Sequence, residues 1–326
     1  MATSLPTQTI GKTGPKVSRI GLGCMGLAGT WNPAEVGPEN VKRAIAAFES
    51  ALDAGITLFD HADIYGGTAC ESIFKECLKA VPGIREKIVI ATKCGIRSGY
   101  FELTSDYIKR SIDGSLSRMG IDYVDVYQMH RPDPLAHPRD TASALRQLVK
   151  SGKVRHVAVS NFYPEQVRAL QTYLEEIPIV SNQIEISLLR IAPFYEGWKT
   201  NDDTSQNGLI GDGVLDQCMA MDITPLAWSP LGKAFLNGAR EVPLDNPRKQ
   251  RIDAIVGELH AQAERYKFMP GQIAIAWLLA HPAGIIPLVG SNNPLHIHEA
   301  AIATEVRMTR EDWYALWTTA WGRKAP

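Results

Sequence analysis

The sequence predicts an α/β protein, a single-domain (β/α)8 barrel of the TIM type spanning residues 1–326. Two observations carry that expectation. Apolar β-type runs recur at intervals of about thirty residues, the length of one βαβ unit. Helical patterns with start and stop signals fill the intervals. Eight such runs is also the number of strands that closes a parallel barrel, and a barrel of this kind fits a chain of 326 residues as one unit.

The strand candidates, in order, are VSRIGLG (17–23), ITLFD (56–60), KIVIATK (87–93), VDVYQMH (124–130), VRHVAVS (154–160), IPIVSNQIEIS (177–187), ITPLAWS (223–229) and GIIPLVG (284–290). Between them, Val41, Ala44, Ile45, Phe48 and Leu52 repeat at helical spacing after Asn40, and Gly55 stops the pattern. Ile108, Ile112, Leu116 and Met119 form a stripe after Ser105, ended by Gly120. Leu145, Leu148 and Val149 follow Asp140, ended by Gly152, and Pro164 sits where a first helical turn tolerates it. Two segments break the rhythm: 196–216, which opens EGWKTNDDTSQNGLIGDG, and 232–250, GKAFLNGAREVPLDNPRKQ. Both follow strands, so a barrel places both at its C-terminal face as candidate lids.

Composition narrows the class. Hydrophobic residues make up 45% of the chain, enough to exclude a disordered protein. Lys and Arg number 34 against 35 Asp and Glu, so the net charge of −1 offers no reason to expect nucleic acid or an anionic membrane as partner. The start, MATSLPTQTIGKTGPK, lacks an apolar export core. The longest apolar stretch, QIAIAWLLAHPAGIIPLVG, is interrupted by His281, Pro282 and Pro287 and reads as a buried helix and strand. The five cysteines form no CxxC pair, which argues against a disulfide framework or zinc cage and makes a reducing cytoplasm the expected location.

Residues 21–26, GLGCMG, satisfy G-x-G-x-x-G after a strand. A dinucleotide fingerprint also needs a helix that opens at the third glycine. LAGTWNPAEVGPEN follows instead, with two prolines and no periodic stripe, so the motif reads as a tight strand-to-loop transition.

In a barrel the reacting groups come from the C-terminal ends of several strands. The second run ends DHADIYG, with Asp60, His61, Asp63 and Tyr65; the third ends with Lys93 and the fourth with His130. Alternation puts Ile56, Leu58 and Asp60 on one face, Val89, Ala91 and Lys93 on one face, and Val124, Val126, Gln128 and His130 on one face. If these are all the lumen face, Asp60, Lys93 and His130 converge and the following loop brings Tyr65 over. Such a set suits proton delivery to a carbonyl oxygen. A phenol with a reference pKa of about 10 is a poor acid at neutral pH, and a neighbouring ammonium lowers that value. A carboxylate compensates the buried ammonium, and a histidine orients the reacting oxygen. No side chain donates hydride, so a redox reaction requires a bound cofactor. His61 and Asp63 read as structural supports. Each residue alone also has a plain reading: cap, solvated charge, core histidine, packing tyrosine. Their placement at successive strand ends is what singles out the set.

FDHADIYGG, ATKCG, YQMHRPDPL, SGKVRHVAVSNF, NQIEIS and AWSPLG together resemble the aldo-keto reductases, across nearly the whole chain and most closely a bacterial branch with DHADIYGG and HRPDPL. The resemblance implies a barrel that binds NADPH, with NADH as the lesser option, across its C-terminal face. It implies Tyr65 as general acid, Lys93 lowering its pKa, Asp60 paired with Lys93, and His130 orienting the substrate carbonyl. For the cofactor it implies Ser160, Asn161 and Gln183 at the carboxamide, Trp228 stacked on the nicotinamide, and Ser229, Leu231 and Gly232 near the pyrophosphate. Ser291, His296 and Glu299 take the adenosine end, where arginine and asparagine are usual; His296 and Ala300 stand in place of those residues, and a histidine's charge depends on pH. Trp31, Tyr100, Phe101, Tyr195 and Trp198 are candidate walls of the substrate pocket. The leading expectation is an NADPH-dependent aldehyde or ketone reductase, acting on a small-molecule carbonyl or alcohol. A cofactor-binding regulatory or channel-associated barrel with little turnover is the alternative. A metal-dependent hydrolase using Asp60, His61, Asp63 and His130 lacks an H-x-H or HExxH spacing.

Overall fold

A computed structural model of the chain describes residues 5–194 and 213–324. The apolar runs pair through their backbones into one closed sheet. In chain order the strands are β1 (Thr7–Thr9), β2 (Lys16–Ser18), β3 (Gly21–Gly23), β4 (Leu58–Asp60), β5 (Val89–Cys94), β6 (Ile96–Arg97), β7 (Tyr100–Phe101), β8 (Val124–Met129), β9 (Val154–Ser160), β10 (Ile179–Glu185), β11 (Thr224–Trp228) and β12 (Ile286–Val289). The barrel runs β10-β11-β12-β3-β4-β5-β8-β9 and closes on itself, every pair parallel. Its eight strands lie within two residues of the runs in the sequence, apart from the first. The run 17–23 splits, because Lys16–Ser18 pairs antiparallel with Thr7–Thr9 and only Gly21–Gly23 enters the barrel.

That hairpin is absent from the sequence reading. Its apolar residues Ile10 and Val17 form one cluster with Leu58, Val89, Ala91, Val126, Ala158, Val180, Leu226, Ile286 and Leu288. Seven of the eight barrel strands contribute to that cluster, so it is the lumen packing, with the hairpin residues closing it off. The eighth strand contributes no side chain, for a reason of space. A Cβ at Gly21 would lie 2.7 Å from Leu288 Cδ2 and 3.0 Å from Leu58 Cδ2. The first glycine of GLGCMG is thus a packing requirement of the lumen. The third, Gly26, ends the 3-10 turn Cys24–Gly26, and the next α-helix begins only at Pro38.

Helices α1 (Pro38–Asp53), α2 (Ala69–Ala80), α3 (Ser105–Met119), α4 (Pro138–Lys150) and α5 (Pro164–Leu174) fill the gaps between strands; α1, α3 and α4 carry the stripes seen in the sequence, and Pro164 opens α5. They are followed by α6 (Val214–Ala220), α7 (Lys249–Tyr266), α8 (Pro270–Leu279), α9 (Pro294–Ile302) and α10 (Arg310–Trp321). Their starts correct the sequence reading. The α1 cap is Gly37, followed by Pro38; Asn40 lies a turn inside, accepting from the Gly37 N–H at 3.1 Å and donating to the Ala28 carbonyl at 2.7 Å. The α3 cap is Thr104, and the α4 cap is His137, whose Nδ1 accepts from the Arg139 N–H. The stops hold: Gly55, Gly120 and Gly152 have φ of 82°, 66° and 78°.

Of the candidate lid 196–216, residues 196–212 lie outside the described residues, and α6 takes up the end from Val214. In 232–250, Leu236 is wholly buried in the apolar cluster that contains Trp277 and Trp317, so the start of that segment is anchored. No helix among the described residues is long and apolar enough to cross a membrane.

Candidate active site

Register and alternation bring the polar strand ends together. Within the barrel, Gly23 pairs with Asp60, Asp60 with Ala91, Lys93 with Gln128, and Ser160 with Gln183. Leu58 and Asp60, Val89, Ala91 and Lys93, and Val126 and Gln128 share the lumen face as expected. Ile56 and Val124 depart from the expected alternation and belong to the outer apolar cluster.

Lys93, wholly buried, uses all three ammonium hydrogens. Its Nζ donates to Asp60 Oδ2 at 2.7 Å, to the His61 carbonyl at 2.7 Å and to the Tyr65 hydroxyl at 3.1 Å. The Tyr65 ring lies beneath the ammonium, 4.7 Å from its centroid, and 5.9 Å from the His130 ring. The local backbone explains why the tyrosine arrives there. Gly66 and Gly67, with φ of 58° and 61°, turn the chain back immediately after it. A Cβ on Gly67 would also come within 2.9 Å of the Trp31 carbonyl.

Burial penalises the charge of Lys93, yet Asp60 and Tyr65 outweigh it and hold the ammonium above its ordinary value. Burial also pushes the Tyr65 phenol above its ordinary value; Lys93 pulls against that rise, and Asp60 adds to it. Lys93 acts to lower the phenol, but desolvation is the larger effect and the net shift is upward. His130 is pushed down to about 2, chiefly by burial and then by Lys93 and Arg131, so its imidazole is neutral. Its Nδ1 has no partner among the described residues.

The two residues read as supports behave as such. His61 packs against Phe74 with ring centroids 4.3 Å apart and planes tilted by 57°, and burial takes its pKa down to about 3. Asp63 turns away from Lys93 and accepts from Tyr107 and Ser111, each at 2.8 Å. Among the described residues no group of three or more His, Cys, Asp or Glu side chains is placed to hold a metal ion, so Asp60, His61, Asp63 and His130 do not form the centre that the hydrolase alternative needs. Both histidines carry a stability consequence. Their native pKa values lie below the unfolded value, so the unfolded chain alone takes up protons as pH falls below about 6.5. Stability is unaffected above that pH. Below it, each ring costs about 1.4 kcal/mol per pH unit until the native value is reached. Chemical denaturation at pH 7 and pH 5 should show this loss, and His61→Met should recover about 2 kcal/mol of it at pH 5. An equal loss in that variant refutes the assignment.

The amide positions form a chain of hydrogen bonds. Ser160 Oγ donates to the Gln183 carbonyl at 2.9 Å; Asn161 Nδ2 donates to Ser160 Oγ at 2.8 Å and to the His130 carbonyl at 3.2 Å. Trp228 Nε1 donates to Asn161 Oδ1 at 3.2 Å, which fixes the indole beside the mouth. Asn161 and Ser229 adopt left-handed backbone, with φ of 61° and 51°, where β9 and β11 end. Gly232 also has positive φ, and a Cβ there would meet Leu189 Cδ1 at 2.6 Å, while Leu231 is half-buried in the core. Gln183 is engaged more deeply than expected: its Nε2 donates to Asp60 Oδ1 at 2.9 Å, beside the Gln128 amide. Gln128 has a role the sequence reading missed, although its polar side chain between Val126 and His130 on a lumen face is a usable signal.

The remaining expected residues stand apart from this network. Ser291 accepts from the Asn293 N–H, His296 is exposed on α9, and Glu299 offers its carbonyl to Gln272. Trp31, Tyr100 and Phe101 are exposed, the last two on the β6–β7 hairpin above β5. Tyr195 and Trp198 lie outside the described residues.

A family model described as the aldo/keto reductase family matches residues 19–318. The chain belongs to that family. It is therefore an oxidoreductase of carbonyl compounds, in a family that uses nicotinamide cofactors. The chain is 40% identical to a 6-dehydroglucose reductase of Novosphingobium aromaticivorans, over 94% of this chain and 96% of the relative. It is 31% identical to the Schizosaccharomyces pombe aldo-keto reductase yakc [NADP(+)], over 94% and 88%. Its fold matches the thermostable aldo-keto reductase Tm1743, with a TM-score of 0.77 and 25% identity, over 97% of this chain and 100% of that one.

Proposed function

We propose that this aldo-keto reductase is one barrel domain that reduces an aldehyde or ketone to an alcohol with NADPH, Tyr65 being the general acid. The observation that carries the proposal is the buried contact of Lys93 with both Asp60 Oδ2 and the Tyr65 hydroxyl. A phenol pushed up by burial keeps its proton at neutral pH, which is the state a reduction requires. As the carbonyl oxygen gains charge, Tyr65 delivers that proton to it and the ammonium of Lys93 stabilises the phenolate left behind. Neutral His130 has one N–H, which on Nε2 directs the carbonyl oxygen toward Tyr65.

The residues present fit a nicotinamide. Gln183 gives its amide nitrogen to Asp60, which leaves its Oε1 to accept from a carboxamide. The half-exposed Trp228, tied to Asn161, offers a flat face. Ser160, Asn161, Gln183 and Trp228 would hold the nicotinamide end; Ser229, Leu231 and Gly232 the pyrophosphate; Ser291, His296 and Glu299 the adenosine. When bound, the reduced ring supplies the hydride. NADPH is preferred here by analogy with the fission-yeast relative, whose name specifies NADP(+). The relative named 6-dehydroglucose reductase makes a sugar carbonyl the first substrate class to try. Segment 232–250 would cover the face as a lid.

Titration of NADPH and NADH followed by tryptophan fluorescence tests the cofactor reading. Saturable quenching that Trp228→Ala abolishes, with tighter binding of NADPH, is expected; tighter NADH binding reverses the preference. A carbonyl panel that includes sugar aldehydes then tests catalysis, and binding without any turnover favours the regulatory alternative.

A further inference from the structure

The Asp60 carboxylate is held from two sides. Oδ2 takes the Lys93 ammonium, while Oδ1 takes two amide nitrogens, Gln128 Nε2 and Gln183 Nε2, each at 2.9 Å. A carboxylate offers only acceptors, so the NH2 end of each amide must face it. Gln128 is 0% exposed, opposite Lys93 in the β5–β8 register, and reaches neither solvent nor the mouth. Its Oε1 lies 3.4 Å from Gln183 Nε2, so the two amides form one clamp. Gln183 has a second duty in the proposed reading, toward the cofactor. Gln128 has no such duty.

We propose that Gln128 is a positioning residue for carbonyl reduction: it fixes the plane of the Asp60 carboxylate so that Lys93 keeps its third hydrogen for the Tyr65 oxygen. The inference rests on the Tyr65 and Lys93 reading above. The geometry shows why one amide is insufficient. The His61 carbonyl is backbone and stays in place, but Asp60 turns about two side-chain torsions. Without Gln128, only Gln183 restrains Oδ1. A rotated carboxylate draws the ammonium after it and lengthens the contact with Tyr65. The clamp also spreads the Asp60 charge onto neutral donors, away from the phenol. The titratable groups facing that phenol are Lys93, Asp60, Cys24 and the His130 ring, and Gln128 acts on the first two.

The test is Gln128→Leu, with Gln128→Met as a second apolar replacement should the branched side chain not pack. With NADPH and nitrobenzaldehyde, kcat should fall about tenfold while KM changes less than about twofold. In the reverse direction, with NADP+ and the corresponding alcohol, the rise of kcat with pH should move up by about half a unit. NADPH affinity by tryptophan fluorescence should be unchanged. A merely structural glutamine lowers the melting temperature and leaves the pH profile in place. A wild-type kcat and pH profile in whichever variant folds overturns the proposal. If Tyr65→Phe is inactive and the Gln128 variants are normal, only this inference fails; if Tyr65→Phe is active, the reading beneath it fails.

Discussion

Replacing Tyr65 with phenylalanine should lower turnover by about a hundred- to ten-thousandfold, the usual contribution of a positioned general acid. The substitution removes one oxygen and little else. The ring keeps its edge-on contact with His130 at 5.9 Å and its place under the Lys93 ammonium. Gly66 and Gly67 still turn the chain after it. The groups assigned to the cofactor lie at the ends of β9, β10 and β11, on the loops after β11 and β12 and on α9, and are untouched, so NADPH affinity should stay within about twofold. Steady-state turnover with a carbonyl panel and a fluorescence titration measure the two quantities separately. Turnover near the wild-type value would place the proton donor elsewhere, and His130, neutral and adjacent, would be the next residue to replace.

Lys93→Met should abolish activity for a second reason, and it should also destabilise the fold. Lys93 is 0% and Asp60 2% exposed, so removal of the ammonium leaves a carboxylate inside the barrel with no cation beside it. Loss of one partner of a buried pair costs about 3–5 kcal/mol. The two amides on Oδ1 reduce that cost but supply no charge. The double variant Asp60→Asn, Lys93→Met removes both charges and should regain most of the stability without regaining turnover. Denaturant unfolding of the two single variants and the double variant measures the coupling. If Lys93→Met is as stable as the wild type, the pair contributes little and the carboxylate has another partner. If the double variant is active, the ammonium has no role in the chemistry.

Much of this site is legible in the amino-acid sequence. Asp60, Lys93 and His130 close three successive apolar runs, and alternation along a strand suffices to give Asp60 and Lys93 a common face. The loop after β4 is expected to bring Tyr65 over, and the structure shows how: Gly66 and Gly67 adopt the left-handed backbone other residues avoid and turn the chain there. What stays hidden is of two kinds. Helix starts shift by one to three residues, since Gly37, Thr104 and His137 cap helices whose apolar stripes begin later. Contacts made by groups without a sequence signal are also invisible. The His61 carbonyl that takes a hydrogen from Lys93 is backbone, and every residue has one.

Periodicity, punctuation and motif by themselves determined that this chain alternates strands with helices, how many strands form the barrel, and which polar residues end them, because each of these is settled within a few consecutive residues. Closure of the barrel decided the rest. Gln183 reaches Asp60 across 123 residues of sequence, Gly21 is bare so that Leu58 and Leu288 can pass, and the strand pair at Thr7–Thr9 and Lys16–Ser18 packs its apolar residues onto the lumen. No local pattern encodes those meetings, since they depend on the stagger between strands and on the volume left inside once eight of them are joined.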